Sequence, residues 1–375
     1  MNRVLFVDDE RVLLDGLRGR LRSLRSAWEM KFVDSGEAAL DELERVPYEL
    51  VVADIRMPAL DGVQLLTMIS ERWPATMRVA LSGYANQEQM LRLIPVVHQY
   101  LSKPCAPRVI ESVLERCAAL QLMLPVPQLR ALVGGVRQLE PTPGTAAAIL
   151  KLLDRLQAPE PAEVAKLISA DTVIAAKVLQ IVNSAFFRLA YPVSCIEQAV
   201  KYLGLPAIKS LIGANSVFPP AASANCPPEF DLRVLQAQAS AMAASAASSG
   251  SRDSGTDEAI IAALLQNIGY WMLVQEAPDV LAGAAEHARR EGLPLHLAEI
   301  ATLGASHAQI GAYLLGLWGL PQAVVDAVLH HHSGEARWQD TMMVQALHLS
   351  EPGGQAEAQP GAAAGKVDAT HSGRR

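Results

Sequence analysis

Four short apolar runs, at residues 3–7, 50–53, 79–81 and 100–101, each lead into residues able to do chemistry. Asp8 and Asp9 follow the first, Asp54 the second and Ser82 the third, and Lys103 comes just after the fourth, before Pro104. Three clustered carboxylates repel one another unless a hard, oxygen-seeking cation lies among them. A carboxylate beside such a cation can attack phosphorus and form an acyl phosphate. The cation and a nearby ammonium then offset the charge on the moving phosphoryl group. The inventory therefore predicts a Mg²⁺-dependent phosphoryl acceptor with Asp54 as nucleophile.

Each run reads as a buried parallel strand, and in an open α/β sheet chemistry collects beyond the carboxyl ends of the strands. Taken singly, an Asp-Asp pair is usually a solvated turn or a helix cap, and Asp9 before Glu10 could open a helix. A lone Lys-Pro is usually loop punctuation. Recurrence at four strand ends favours one shared site. Strand-like runs alternate with amphipathic stretches through residue 120, which predicts a βαβ sheet. A helix from Pro107 carries Val109, Val113, Leu114 and Cys117 at helical spacing. Pro125 and Pro127 break it, and a further helical pattern over 129–139 leads to Pro141 and Pro143.

The segments VLFVDDE, VVADIRMPALDG, ALSGYA and QYLSKP make residues 1–120 resemble the receiver domain of two-component response regulators. That resemblance implies a doubly wound (βα)5 fold with strand order 2-1-3-4-5. It implies Asp54 as phosphoacceptor, Asp9 as a direct Mg²⁺ ligand, Asp8 as a ligand through water, and the Arg56 backbone carbonyl as a further ligand. Ser82 and Lys103 would contact the phosphoryl group, Tyr100 would be an aromatic switch, and the Arg56 and Tyr84 side chains would tune acyl-phosphate lifetime.

A chain of 375 residues has room for two or three domains. Half of it is hydrophobic and only 19% charged, so substantial cores can form. A net charge of −7 and a pI near 5.8 offer no general attraction to nucleic acid or anionic membrane. Cys105, Cys117, Cys195 and Cys226 form no C-x-x-C pair and suit a reduced, cytoplasmic protein. No apolar run reaches the roughly 18 residues of a membrane span, and a strand beginning within three residues of the start leaves no space for a signal peptide.

Beyond residue 144 strand signals vanish. Helical periods succeed one another over 146–156, 161–169, 173–183, 196–202, 206–215, 232–248, 258–275, 278–291, 295–303, 306–315 and 321–331. Pro161 and Pro206 fit first turns, and Asp171 fits a cap. No fixed-period repeat is evident. The expected domains are 1–124, an α/β receiver; 125–142, a helical, proline-containing linker; 143–349, all-α; and 350–375, a tail too poor in large apolar residues to order.

The segments LISADTVIAAKVLQIVNSAFF, PVSCIEQAVKYLGL and EIATLGASHAQIGAYLLGLWGLPQAVVDAVLHHH make residues 143–332 resemble the HDOD family, a non-catalytic-looking relative of the HD phosphohydrolases. Thr172 stands where a proline is common. HD hydrolases grip a divalent metal with adjacent His and Asp, and the corresponding segment AALLQNIGYWML offers Gln266 and Asn267. Neutral amides replace both ligands poorly. An earlier histidine is also missing, with Gln238 nearest. This removes the easiest route to activating water near neutral pH, so the domain is expected to be non-hydrolytic and to carry no cofactor.

His307, His331 and His332, extended by His330, could form a Zn²⁺ cluster. A structural role, with histidines complementing a helix C-terminus, is the alternative. Consecutive histidines on a helix splay about 100° apart, which favours the structural role. Asn183 and Ser184 could bind a ligand or simply end a helix over Phe186 and Phe187, while Arg188, Lys201 and Lys209 are too scattered for a nucleic-acid groove.

The expected function is that of a cytoplasmic response regulator. A sensor histidine kinase or phosphotransfer protein would phosphorylate Asp54, and an HDOD-like interaction module would engage an unidentified protein partner, with a homodimer left open. The competing reading is a phosphorylation-regulated metal-dependent phosphohydrolase or phosphodiesterase, against which Gln266-Asn267 speaks. A transcription factor would want a basic recognition helix that the sequence lacks.

Overall fold

The computed structural model describes residues 2–83, 93–184, 192–219, 230–249 and 254–333. Tyr84, Phe186, Phe187, Arg188, Cys226 and the expected tail at 350–375 lie outside the described residues.

The first third folds as expected. Its strands are β1 (Asn2–Val7), β2 (Trp28–Val33), β3 (Leu50–Asp54), β4 (Met77–Ser82) and β5 (Gln99–Ser102). They form one parallel sheet in the order β2-β1-β3-β4-β5. Between and after them run α1 (Arg11–Arg20), α2 (Gly36–Arg45), α3 (Gly62–Arg72) and α4 (Pro107–Met123). Local signals set the helix starts. Ser35 Oγ accepts from Ala38 N ahead of α2, and Asp61 and Gln64 form a reciprocal capping box ahead of α3.

The remainder is helical. It comprises α5 (Pro127–Gly135), α6 (Thr145–Leu153), α7 (Pro161–Ile168), α8 (Thr172–Val182), α9 (Ile196–Leu203), α10 (Leu205–Ile212) and α11 (Leu232–Ser249). Then follow α12 (Ser254–Leu265), α13 (Ile268–Glu276), α14 (Pro278–Glu291), α15 (Leu295–Leu303), α16 (His307–Leu317) and α17 (Gln322–His330). The helix expected over 258–275 is two helices that break at Gln266–Asn267. Asp171 caps α8 by accepting from Val173 N and Ile174 N, both at 3.0 Å. Thr172, at the position where proline is common, donates its N–H to Gln236 Oε1 at 2.9 Å and its hydroxyl to the Leu264 carbonyl at 3.0 Å.

Alternation along the strands sorts side chains onto two faces. Leu5, Val7, Val51 and Ala53 pack under α2 and α3. Val4, Phe6, Val52, Val79 and Leu101 face the opposite way, and their core runs without interruption through Ile110, Leu114 and Leu120 of α4 to Val178, Trp271, Tyr313 and Trp318. The sheet and the helical region therefore share one core. Leu129, Val133, Val136 and Leu139, in the expected linker, are buried.

Polar contacts fasten the same junction. Gln99 Nε2 donates to the Gly316 and Leu317 carbonyls at 3.3 and 3.1 Å. Arg116 Nη1 donates to the Leu320 carbonyl at 3.0 Å, and Gln180 Nε2 to the His98 carbonyl at 3.2 Å. The buried Arg78 guanidinium reaches the Val96 and Gly134 carbonyls, each at 2.6 Å, and burial pulls its pKa down to about 9.

Candidate phosphoacceptor site and histidine cluster

Strand register assembles the first site. Val7 lies beside Ala53, Asp54 beside Leu81, and Ser82 beside Ser102. The residues that come next, Asp8 and Lys103, thus emerge at one edge with Asp54 and Ser82. Lys103 Nζ lies 2.6 Å from Asp8 Oδ2 and 3.0 Å from Asp54 Oδ2. Oxygens of Asp8, Asp9 and Asp54 all fall within 4.8 Å of one another. Asp8 and Asp54 are buried, whereas Asp9 is exposed. Gly62 makes the tight β3–α3 connection: a Cβ there would sit 2.0 Å from the Asp54 carbonyl oxygen.

The electrostatics of the site favour cationic charge beside the carboxylates. Burial raises the Asp54 carboxyl pKa, opposed by Lys103 and by the Arg56 backbone amide and supported by Asp8. For Lys103, burial works against the ammonium, yet its contacts with Asp8 and Asp54 outweigh this and raise its pKa. Beyond that ammonium, Asp8 Oδ2 has no hydrogen-bond partner among the described residues. Three converging carboxylates form a hard-oxygen donor set of the kind Mg²⁺ prefers. Ser82 Oγ is buried and likewise without a partner among the described residues. Tyr100 lies inside the protein, its hydroxyl buried without a partner among the described residues, and burial pushes its pKa well up.

The helical region brings together residues that sequence spacing kept apart. His307 begins α16, where Glu299 Oε2 accepts from its backbone N–H at 2.7 Å and contacts Nδ1 at 2.8 Å. His307 Nε2 lies 3.3 Å from His331 Nε2 and 3.1 Å from His332 Nε2. The expectation that consecutive histidines splay apart is corrected here. Helix α17 ends at His330 and His331 keeps helical backbone angles, yet the neighbouring His331 and His332 rings, their centroids 4.0 Å apart, both turn toward His307 and the nitrogens converge. Glu299 carries no motif of its own; only its place eight residues before His307 hinted at the pairing.

Other readings also meet their geometry. Gln266 is buried and its amide nitrogen contacts Met242 Sδ. Gln238 is exposed on α11, and it is Gln236 that faces inward. Asn183 exchanges two hydrogen bonds with the Val193 backbone, at 2.8 and 2.6 Å, so its amide staples the chain beyond α8. Lys201 and Lys209 pair with Glu197 and Asp154. Burial raises the pKa of the Cys105 and Cys117 thiols to about 11 and 12, away from reactive thiolates. Among the described residues no helix is long and apolar enough to cross a membrane.

The first domain is an α/β sheet covered by helices on both faces, with acids at its strand ends, and it shares a core with an all-helical domain. The HDOD domain matches residues 139–334, more than half of the chain, and the response regulator receiver domain matches residues 4–115, so this protein belongs to the HDOD family and carries an N-terminal receiver domain. The hydrogenase transcriptional regulatory protein HoxA of Cupriavidus necator is 37% identical over 106 residues, covering 28% of this chain and 21% of HoxA. The response regulator protein FleR of Pseudomonas aeruginosa is 36% identical over 124 residues, 32% of this chain and 25% of FleR. The solved MmoQ response regulator of Methylococcus capsulatus is 24% identical, over 60% of this chain and 90% of that one, with a TM-score of 0.49. This chain spans well under two thirds of the length of the curated relatives it matches first, between 21% and 48%.

Proposed function

We propose that this protein is a cytoplasmic two-component response regulator that accepts a phosphoryl group on Asp54 and signals through a non-hydrolytic HDOD domain. The observation that carries this reading is Lys103 Nζ, held between Asp8 and Asp54 at the sheet edge where Ser82 also emerges. In the transfer, an Asp54 carboxylate oxygen attacks the phosphorus of a phosphohistidine on a sensor kinase or phosphotransfer protein. The P–N bond breaks as the O–P bond forms, and the imidazole leaves with its electron pair and takes up a proton. Lys103 balances the added oxygen charge, and Ser82 Oγ supplies a donor for a phosphoryl oxygen. Asp8, Asp9, Asp54 and the Arg56 carbonyl would hold Mg²⁺, which supplies further charge neutralisation when bound.

The output follows from the shared core. Gln99 on β5 and Arg116 on α4 bond carbonyls of the helical domain, while Tyr100 packs on the opposite face of the sheet, in the core under α2 and α3, so a change at Ser82 and Tyr100 would reach the domain junction through the β5 backbone. The amide pair Gln266-Asn267 supports a non-hydrolytic module that engages a protein partner, since it removes the anionic ligands a hydrolytic metal pair uses. The test is labelling by a phosphohistidine donor with Mg²⁺. Wild type should take up one phosphoryl group and Asp54→Ala none, with Asp9→Ala much reduced; label that persists in Asp54→Ala would contradict the assignment.

A further inference from the structure

We infer that His307, His331 and His332 form a binding site for one divalent transition-metal ion of the Zn²⁺ class, braced by Glu299. This goes beyond the phosphoacceptor reading and does not rest on it.

Proton placement is the first argument. His331 Nδ1 faces the Val328 carbonyl at 2.7 Å, and a carbonyl can only accept, so that nitrogen carries the proton. His307 Nδ1 faces Glu299 Oε2, which also accepts the His307 backbone N–H, so its proton too sits on Nδ1. In the neutral rings both Nε2 atoms therefore bear lone pairs, and they point at one another across 3.3 Å. His332 Nε2 approaches the same His307 nitrogen at 3.1 Å. His307 Nε2 has a single in-plane lone pair, so it can accept a well-aligned proton from only one of the two facing nitrogens. A cation between the three nitrogens resolves both.

Spacing is the second argument. Two nitrogens each about 2.05 Å from a tetrahedral Zn²⁺ ion are about 3.3 Å apart. The contacts of 3.3 and 3.1 Å are close to that separation, and all three ligand atoms fall within 4.8 Å of one another.

Charge is the third. Glu299 is fully buried, and its Oε1 has no hydrogen-bond partner among the described residues. An isolated carboxylate there is costly. Bonded to His307, it makes the carboxylate–histidine pair that orients metal-ligating imidazoles and raises their basicity. Three neutral nitrogens select a borderline ion such as Zn²⁺ over Mg²⁺, which prefers oxygen. The fourth position would hold water or a small anion. The site binds one ion, because Gln266 and Asn267 provide no carboxylate to bridge a second.

The experiment uses the full chain, stripped with chelator, incubated with Zn²⁺ and dialysed, with metal content and affinity measured directly. Receiver binding is separated by repeating it in Asp9→Ala. One retained Zn²⁺ is expected in wild type and in Asp9→Ala. Affinity should fall by about 10–100-fold in Glu299→Gln, and Zn²⁺ retention should be lost in His332→Gln. His332 is the most accessible of the three ligands, so its substitution should leave the fold intact, as circular dichroism would verify. A Zn²⁺-induced rise in Tm should appear in wild type and vanish in folded His332→Gln. Wild type retaining no Zn²⁺, or retention abolished by Asp9→Ala and untouched by His332→Gln, would overturn the site.

Discussion

Lys177 offers a sharp test of the shared core. It lies on α8 with 1% exposure, its ammonium 3.0 Å from Gln180 Oε1 and 4.0 Å from the Trp318 ring centroid. Gln180 in turn bonds the His98 carbonyl across the junction. Burial pulls the lysine from an ordinary 10.5 down to about 7. The folded protein therefore releases this proton near neutrality, while the unfolded chain keeps it up to 10.5. Because the unfolded state binds more protons in that window, stability rises with pH across it and levels off above. Between pH 7 and pH 9 the rise amounts to about 2 kcal/mol, an upper figure because the ring and the amide oxygen both favour the charged form. Urea unfolding of wild type and Lys177→Met at both pH values isolates the effect, since other titrating groups cancel in the difference. The methionine variant should be the more stable at pH 7, with its advantage shrinking by about 2 kcal/mol at pH 9. An advantage that does not change with pH would mean that Lys177 keeps its ordinary proton and that water reaches the junction.

Two further outcomes bear on the helical domain. Gly269 on α13 lies so close to α16 that a Cβ would sit 2.0 Å from the His307 carbonyl oxygen, so Gly269→Ala should cost about 3 kcal/mol in thermal or urea unfolding; an unchanged Tm would refute this packing argument. Full-length protein loaded with Zn²⁺ should hydrolyse neither a chromogenic phosphodiester nor a cyclic dinucleotide above buffer, and turnover lost on His307→Ala would contradict the non-hydrolytic reading.

Much of the first domain was legible because each candidate site residue ends or directly follows a largely buried strand. Such strands read as continuous apolar runs, and Leu50–Asp54 is buried throughout. Strand β2 lacked that signature. At the sheet edge only Trp28 is fully buried, and Glu29 and Lys31 are exposed. The break between α12 and α13 was hidden for a different reason. Both helices are apolar on nearly every side, so helical phase does not register the interruption at Gln266–Asn267. The histidine convergence depends on His307 of α16 packing against the end of α17, a tertiary contact that helical spacing within one segment does not reveal. The junction was illegible because Gln99, Arg116 and Gln180 all bond backbone carbonyls, which every residue possesses.

Phosphorylation of Asp54 is expected to change how the receiver's last strand and helix sit against the HDOD domain. The size of any shift is bounded by the difference in interaction energy between the two states, so a biased equilibrium is expected. Hydrogen exchange with and without beryllofluoride, an acyl-phosphate mimic, measures this directly. Protection should change in Gln99–Ser102, along Pro107–Met123 and at the facing turn around Gly316–Leu320. Changes confined to the residues beside Asp54, with that turn unaffected, would contradict it.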